Sequence, residues 1–240
     1  LALVVRHRPE QYGYLPDGDV PITDGNDLDS NLEGDGTVNE INFTVWEAMR
    51  TSSFWLLAVA FSLRTMAIAA TVVHQIPFLT DKGISLQSAA GILALMGLMS
   101  IPGRLGFGIL GDYMNKRYLL TIALALQGIG ILILVTADSI QGVILFTFVF
   151  GLGWGAPNLL FAIRADYFGR KYFATIAGVQ QSVVAIGTIV GPVFAGLVYD
   201  INQSYTFAFV TFILTIGIAS ICAFMSKPPD LPARLINNNI

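Results

Sequence analysis

Residues 118–137 read YLLTIALALQGIGILILVTA, twenty positions without a charge, closed by Lys116-Arg117 on one side and Asp138 on the other. Coiled as a helix, twenty residues rise ~30 Å, the depth of a bilayer's hydrocarbon core. The run is too long for a barrel strand and does not alternate in polarity, which excludes a β-barrel. Working outward, five further apolar stretches lie at about 53–76, 86–109, 141–164, 174–198 and 204–226. Turn residues and charges separate them: Thr80-Asp81-Lys82-Gly83, Gly111 through Arg117, Ala137-Asp138-Ser139, Asp166 through Lys171, and Tyr199 through Asn202. The expected fold is all-α: a six-transmembrane-helix bundle over residues 51–227.

Composition agrees. Hydrophobic residues make up 54% of the 240, and charged residues only 12%, about half the usual share for soluble domains. The charge is segregated. Residues 1–50 hold ten acidic side chains against Arg6, Arg8 and Arg50, while the other 190 residues hold six acidic and ten basic. Residues 6–50 read as an acidic linker broken by Pro9, Pro16 and Pro21, with a short amphipathic helix expected over 40–50. The opening Leu-Ala-Leu-Val-Val reads as the last turn of a helix that begins upstream, and residues 228–240 as a polar tail. Cys222 sits alone in an apolar run and is expected to be a small packing residue.

Charge also sets the expected orientation. With the linker in the cytoplasm, alternate threading puts eleven of the thirteen Lys and Arg residues on the cytoplasmic side, in line with the positive-inside bias. Lys82 falls outside and Arg64 inside the first span. An even number of spans returns the C-terminus to the cytoplasm, and a plasma or inner membrane is the expected location.

Three motifs narrow the class. Gly103 and Gly108 lead into Gly108-Ile-Leu-Gly-Asp112-Tyr-Met-Asn-Lys116-Arg117, a tight connection in which glycines admit close helix approach and the charges can clamp helix ends. Arg164-Ala-Asp166-Tyr-Phe-Gly169-Arg170-Lys171 joins the fourth and fifth spans. Gly187-Thr-Ile-Val-Gly191-Pro192 offers a close-packing surface with a proline bend. The first motif resembles the loop between helices 2 and 3, and 8 and 9, of the major facilitator superfamily. The second is similar to the helix 10–11 loop of its monocarboxylate and oxalate/formate-antiporter-like branch. The resemblance implies the linker and helices 7–12 of a twelve-helix transporter. It implies a partner six-helix N-terminal half, and gating roles for Gly103, Gly108, Asp112, Lys116, Arg117, Asp166, Arg170, Gly191 and Pro192.

Arg64 is the decisive single residue, because a mid-span arginine costs a few kcal/mol to insert and by default serves function. Ala60, Arg64, Ala67, Thr71 and His74 share one small, polar helix face, as a cavity wall would. Alternatively, Arg64 bonds helix-end carbonyls or a carboxylate outside this chain. Gly151, Gly155, Asn158 and Ala162 form a second stripe, and Gly178, Gln181, Ala185, Thr188 and Pro192 a third. Asn158 and Gln181 are candidate substrate hydrogen-bonders or interhelical glue; Gln127 and Gln180 are expected glue. His74, near the outer end, is an interfacial histidine or part of a proton-linked gate. No Asp or Glu falls at mid-span, so a lone buried cation favours an anionic substrate.

The expected function is therefore secondary active transport of a small organic solute, in particular an organic anion such as a monocarboxylate, by alternating access. The alternative is a sensor or receptor of transporter descent that binds without transporting. A small-molecule substrate, the lipid bilayer and a coupling proton or ion are the expected partners. Walker, metal-cluster and nucleophile-elbow signatures are absent from the sequence, so neither an enzyme nor a cofactor is expected. The acidic linker offers nothing to nucleic acid.

Overall fold

A computed structural model of the chain describes residues 42–232 and Arg234. The expected helix end at 1–5 and most of the expected linker and tail lie outside the described residues. Among those described there are eight helices and no strand: α1 (Val45–Met49), α2 (Ser52–Asp81), α3 (Leu86–Tyr113), α4 (Lys116–Thr136), α5 (Ile140–Trp154), α6 (Pro157–Phe168), α7 (Phe173–Asn202) and α8 (Thr206–Met225). Six stretches are long and apolar enough to cross a membrane, with α5 and α6 together forming the fourth. The expected spans fall on these helices, which run further than hydropathy suggests, to 81, 113 and 202.

The starts are written in the sequence. Thr51, Ser85, Asn115 and Ser139 each turn a side-chain oxygen back to accept a backbone N–H of the first turn, satisfying a donor the helix cannot. Thr44 and Glu47 form a full capping box on α1. That short helix is not a free surface element. Phe43 is buried against the Phe168 ring, its N–H donates to the Phe168 carbonyl, and Ala48 is buried too. The helical unit therefore reaches back to Asn42, inside the segment expected to be linker.

α2 packs on α7 and α8, α4 on α5 and α8, and α3 chiefly on α5. Two contacts need glycine. A Cβ at Gly187 or Gly191 of α7 would land on the Ser62 or Met66 carbonyl of α2. A Cβ at Gly103 of α3 would strike the Leu152 carbonyl, and one at Gly155 would strike Gly103. Backbones that touch gain dispersion over many atoms, the main source of helix association where lipid removes the hydrophobic drive.

α7 has two exposed flanks either side of its buried stripe. One is small and polar, with Gly178, Gln181, Ala185 and Thr188; the other is apolar, with Ile186, Val190, Val193 and Leu197. The second suits lipid, and the first suits water or another protein surface.

Candidate functional site

The fourth span is broken at mid-depth, where hydropathy predicts one continuous helix. The cause is Gly155-Ala156-Pro157. Pro157 has no N–H, so the Gly153 carbonyl four residues back loses its helical donor. The chain turns at Gly155 and Ala156, and α6 restarts with Pro157 in its first turn, where proline fits.

Two side chains from other helices take the freed carbonyls. Gln127 of α4 donates Nε2–H to the Gly153 carbonyl at 2.7 Å, and also to Ala123 of its own helix at 3.3 Å. Arg64 of α2 reaches the Trp154 carbonyl at 3.5 Å. The Arg64 guanidinium stands 5.5 Å from the Phe61 ring centroid, and the residue is only 6% exposed. Among the described residues no carboxylate lies within ion-pair distance of it.

The expected α2 stripe is therefore interior to this half. Ala60, Ala67 and Thr71 are fully buried with Arg64, and the Thr71 hydroxyl donates to the Ala67 carbonyl one turn back. One turn further out, Gln75 is buried with neither amide atom partnered. His74 sets Nε2 3.0 Å from the Pro192 carbonyl and its ring 5.1 Å from that of Tyr205, joining α2 to α7 at the proline bend. Thr71 and His74 lie ~10 and ~15 Å along the axis from Arg64. Asn158, at the start of α6, and Gln181 are both exposed. Arg64 thus bonds one side of the break and Asn158 lies in the first turn on the other, whereas Thr71, His74 and Gln181 stand apart from it. Gly151 and Gly155 belong to the packing against α3 rather than to an open wall, because equal spacing fixes a shared face but not its neighbour.

At the other end of α6, Lys116 Nζ lies 2.7 Å from Asp166 Oδ2, tying the first loop motif to the second. Arg117 donates to the Tyr118 hydroxyl at 2.9 Å and stands over the Tyr118 and Phe224 rings. A cavity of about 260 Å³ opens between these residues, Tyr167 and Pro228. Asp112 and Arg170 are exposed, and neither pairs with a described residue. Gly108 has open space around it, and Gly103 and Gly191 are contact points between helices.

Two arginines counted on the cytoplasmic side, Arg104 and Arg164, lie within helices, as the expected spans 86–109 and 141–164 already place them. Arg164 is 1% exposed; its Nε donates to Gln180 Oε1, and the Gln180 amide donates to the Phe54 carbonyl at 2.8 Å. Leu160, Arg164 and Tyr167 fall at helical spacing, which is the signal that would have found it. Arg104 is exposed nine residues before the end of α3, ~14 Å inside it. Its backbone abuts Gly155 at the break.

The sequence profile of the Major Facilitator Superfamily matches residues 4–163 and 108–238. The chain belongs to that superfamily. It is 30% identical to monocarboxylate transporter 12 of Rattus norvegicus over 164 residues, 66% of this chain and 34% of the relative. It is 26% identical to monocarboxylate transporter 2 of the same species over 150 residues, 60% of this chain and 31% of the relative. Monocarboxylate transporter 4 of that species is 25% identical over 166 residues, 67% and 35% of the two. The chain thus spans about a third of the length of the curated relatives it matches. It is a multi-pass membrane protein of a transporter family.

Proposed function

We propose that this chain is the C-terminal half of a secondary active transporter that moves a small organic anion, a monocarboxylate first, by alternating access. The observation that carries the reading is Arg64: a buried mid-span guanidinium whose one acceptor among the described residues is a carbonyl at 3.5 Å. A charge so placed is costly unless an anion or an aqueous cavity completes it. Arg104 supplies a second, exposed cation beside the same break, and the α6 N-terminus adds the positive end of a half-helix, a feature of midplane anion sites. Asn158 and Gln181 are proposed to bond the solute from the exposed flanks. The relatives' names supply the carboxylate class.

The second six-helix half supplies the facing wall and rocks against this one. The Lys/Arg distribution supports a cytoplasmic linker, loop motifs and C-terminus, and the plasma membrane is the proposed location. A coupling proton or ion is part of the proposed cycle, with His74 the one histidine among the described residues.

Uptake of labelled L-lactate into proteoliposomes holding the full-length protein tests this. Wild type is expected to accumulate label, and Arg64→Gln and Arg104→Gln to lose ten-fold or more. Binding without uptake would indicate a sensor. Equal uptake of anions by both variants would remove the arginines from the site.

A further inference from the structure

We infer that the gap between α5 and α6 is a working hinge, that Gln127 is its fixed pin, and that Arg64 is its release catch.

The fourth span is anchored differently on the two sides of its break. Above it, α5 is locked to α3 by backbone contact at Gly151, Gly155 and Gly103, and to α4 by Gln127. A Cβ at Gly153 would also meet the Ala123 carbonyl of α4. Below it, α6 also packs on α4 and α3, but its far end is held by side-chain bonds that reach α7 and the end of α8 as well. Arg164 bonds Gln180 of α7, the Tyr167 hydroxyl donates to the Ser226 carbonyl at 2.7 Å, and Asp166 pairs with Lys116. The two pieces thus share α3 and α4, while α6 alone carries the bonds to Gln180 and Ser226, and Gly155-Ala156-Pro157 is the joint between them.

The two clamps on the joint are unequal. The Gln127 bond is short, between neutral groups and fully buried. The Arg64 bond is at the long limit and engages a full cation with a neutral carbonyl. A carboxylate outcompetes a carbonyl for a guanidinium, because charge-assisted, bidentate pairs are about twice as strong as neutral ones. An anion that takes Arg64 therefore uncovers the Trp154 carbonyl while Gly153 stays pinned. The Trp154 carbonyl can then be satisfied by rewinding toward the Asn158 N–H, its helical donor, which swings α6. Two discrete ways of satisfying one carbonyl are what a bistable element requires. Arg64 acts here as a positioning residue for α6 as well as a solute contact, and the second role rests on the anion reading above.

The full-length protein in liposomes tests this, with native cysteines replaced and spin labels at positions 141 and 165, on α5 and α6. Distances are read by double electron–electron resonance. α6 is ~18 Å long, so a rotation of about 10° at the joint displaces its far end by about 3 Å. Saturating L-lactate is expected to shift the wild-type distance by about that amount. Arg64→Gln is expected to show the shifted distance without any anion, and Arg64→Lys, which keeps the charge but not the fork, to show both. Gln127→Leu is expected to broaden the distribution rather than move it. If Arg64→Gln moves the distance and lactate does not, the hinge stands and the anion reading fails. If lactate binds and neither it nor Arg64→Gln moves the distance, the hinge is wrong. If lactate moves the distance and Arg64→Gln does not, Arg64 is not the catch. Should Arg64→Gln fail to fold, the Arg64→Lys distribution decides alone: one unshifted peak without anion overturns the catch.

Discussion

Lys82 Nζ donates to the Ala137 carbonyl at 2.8 Å, and also reaches the carbonyls of Val135 and Leu134. These are the last acceptors of α4, which have no donors of their own. An ammonium there both completes their hydrogen bonds and meets the negative end of the helix dipole. Burial pulls the Lys82 pKa below its usual value, and the nearby Asp138 carboxylate opposes part of that shift. Lys82→Met is expected to cost about 1 kcal/mol. Deuterium uptake is expected to rise at residues 134–138 and not on α7. Unchanged protection there would show that the bond carries no weight.

Arg164 and Gln180 form a chain with the Phe54 carbonyl that links α6, α7 and α2. Removing the acceptor leaves a buried cation uncompensated. Gln180→Leu is therefore expected to destabilise by about 3 kcal/mol, read as a lower midpoint of thermal unfolding in detergent. Arg164→Met is expected to cost less, and the double variant less than the sum. Simple additivity would argue that the two side chains act independently.

Gly191 and Gly178 make a matched pair of opposite outcome. A Cβ at Gly191 meets α2 backbone, whereas nothing lies within 4 Å of one at Gly178. Gly191→Ala is expected to push α7 from α2 at a cost of about 1–3 kcal/mol. Gly178→Ala is expected to be neutral or slightly stabilising through helix propensity. Expression and thermal midpoint of the two single variants decide it.

Glu47 accepts the Thr44 N–H at 2.7 Å, and that bond, ahead of the opposing effect of burial, holds its carboxyl below the usual value. A depressed carboxylate stabilises the fold above its unfolded pKa, and the gain is lost as pH falls through the folded one. The α1 cap is thus expected to persist at pH 5 and to open only as the pH falls below the ordinary glutamate value of ~4.3. Exchange of the Thr44 amide against pH would show it, and Glu47→Gln would flatten the profile.

Span number and helix type were legible because long uncharged runs leave few alternatives in a bilayer. The break at Gly155 was not, since hydropathy is blind to a missing N–H and Gly-Ala-Pro remains apolar throughout. Arg64 was legible as unusual; its burial was not, because a helix face does not name its neighbour. Arg164 and Arg104 were credited to the cytoplasmic side although the expected spans contained them, and a count by side says nothing of how deep a cation sits. The loop motifs carried the superfamily correctly, and the pairing of Lys116 with Asp166 needed the fold to bring two loops together.

The burial of Arg164 also bears on how the protein is made. Its acceptor, Gln180, is sixteen residues later in the chain, on a helix that leaves the ribosome after α6 has been synthesised. Until that helix arrives, the fourth span carries an unmatched guanidinium into the insertion machinery. Partitioning of the fourth and fifth spans as a hairpin, rather than one at a time, removes that penalty. Thus a bond that ties α6 to α7 in the finished molecule also sets the order in which its pieces enter the membrane.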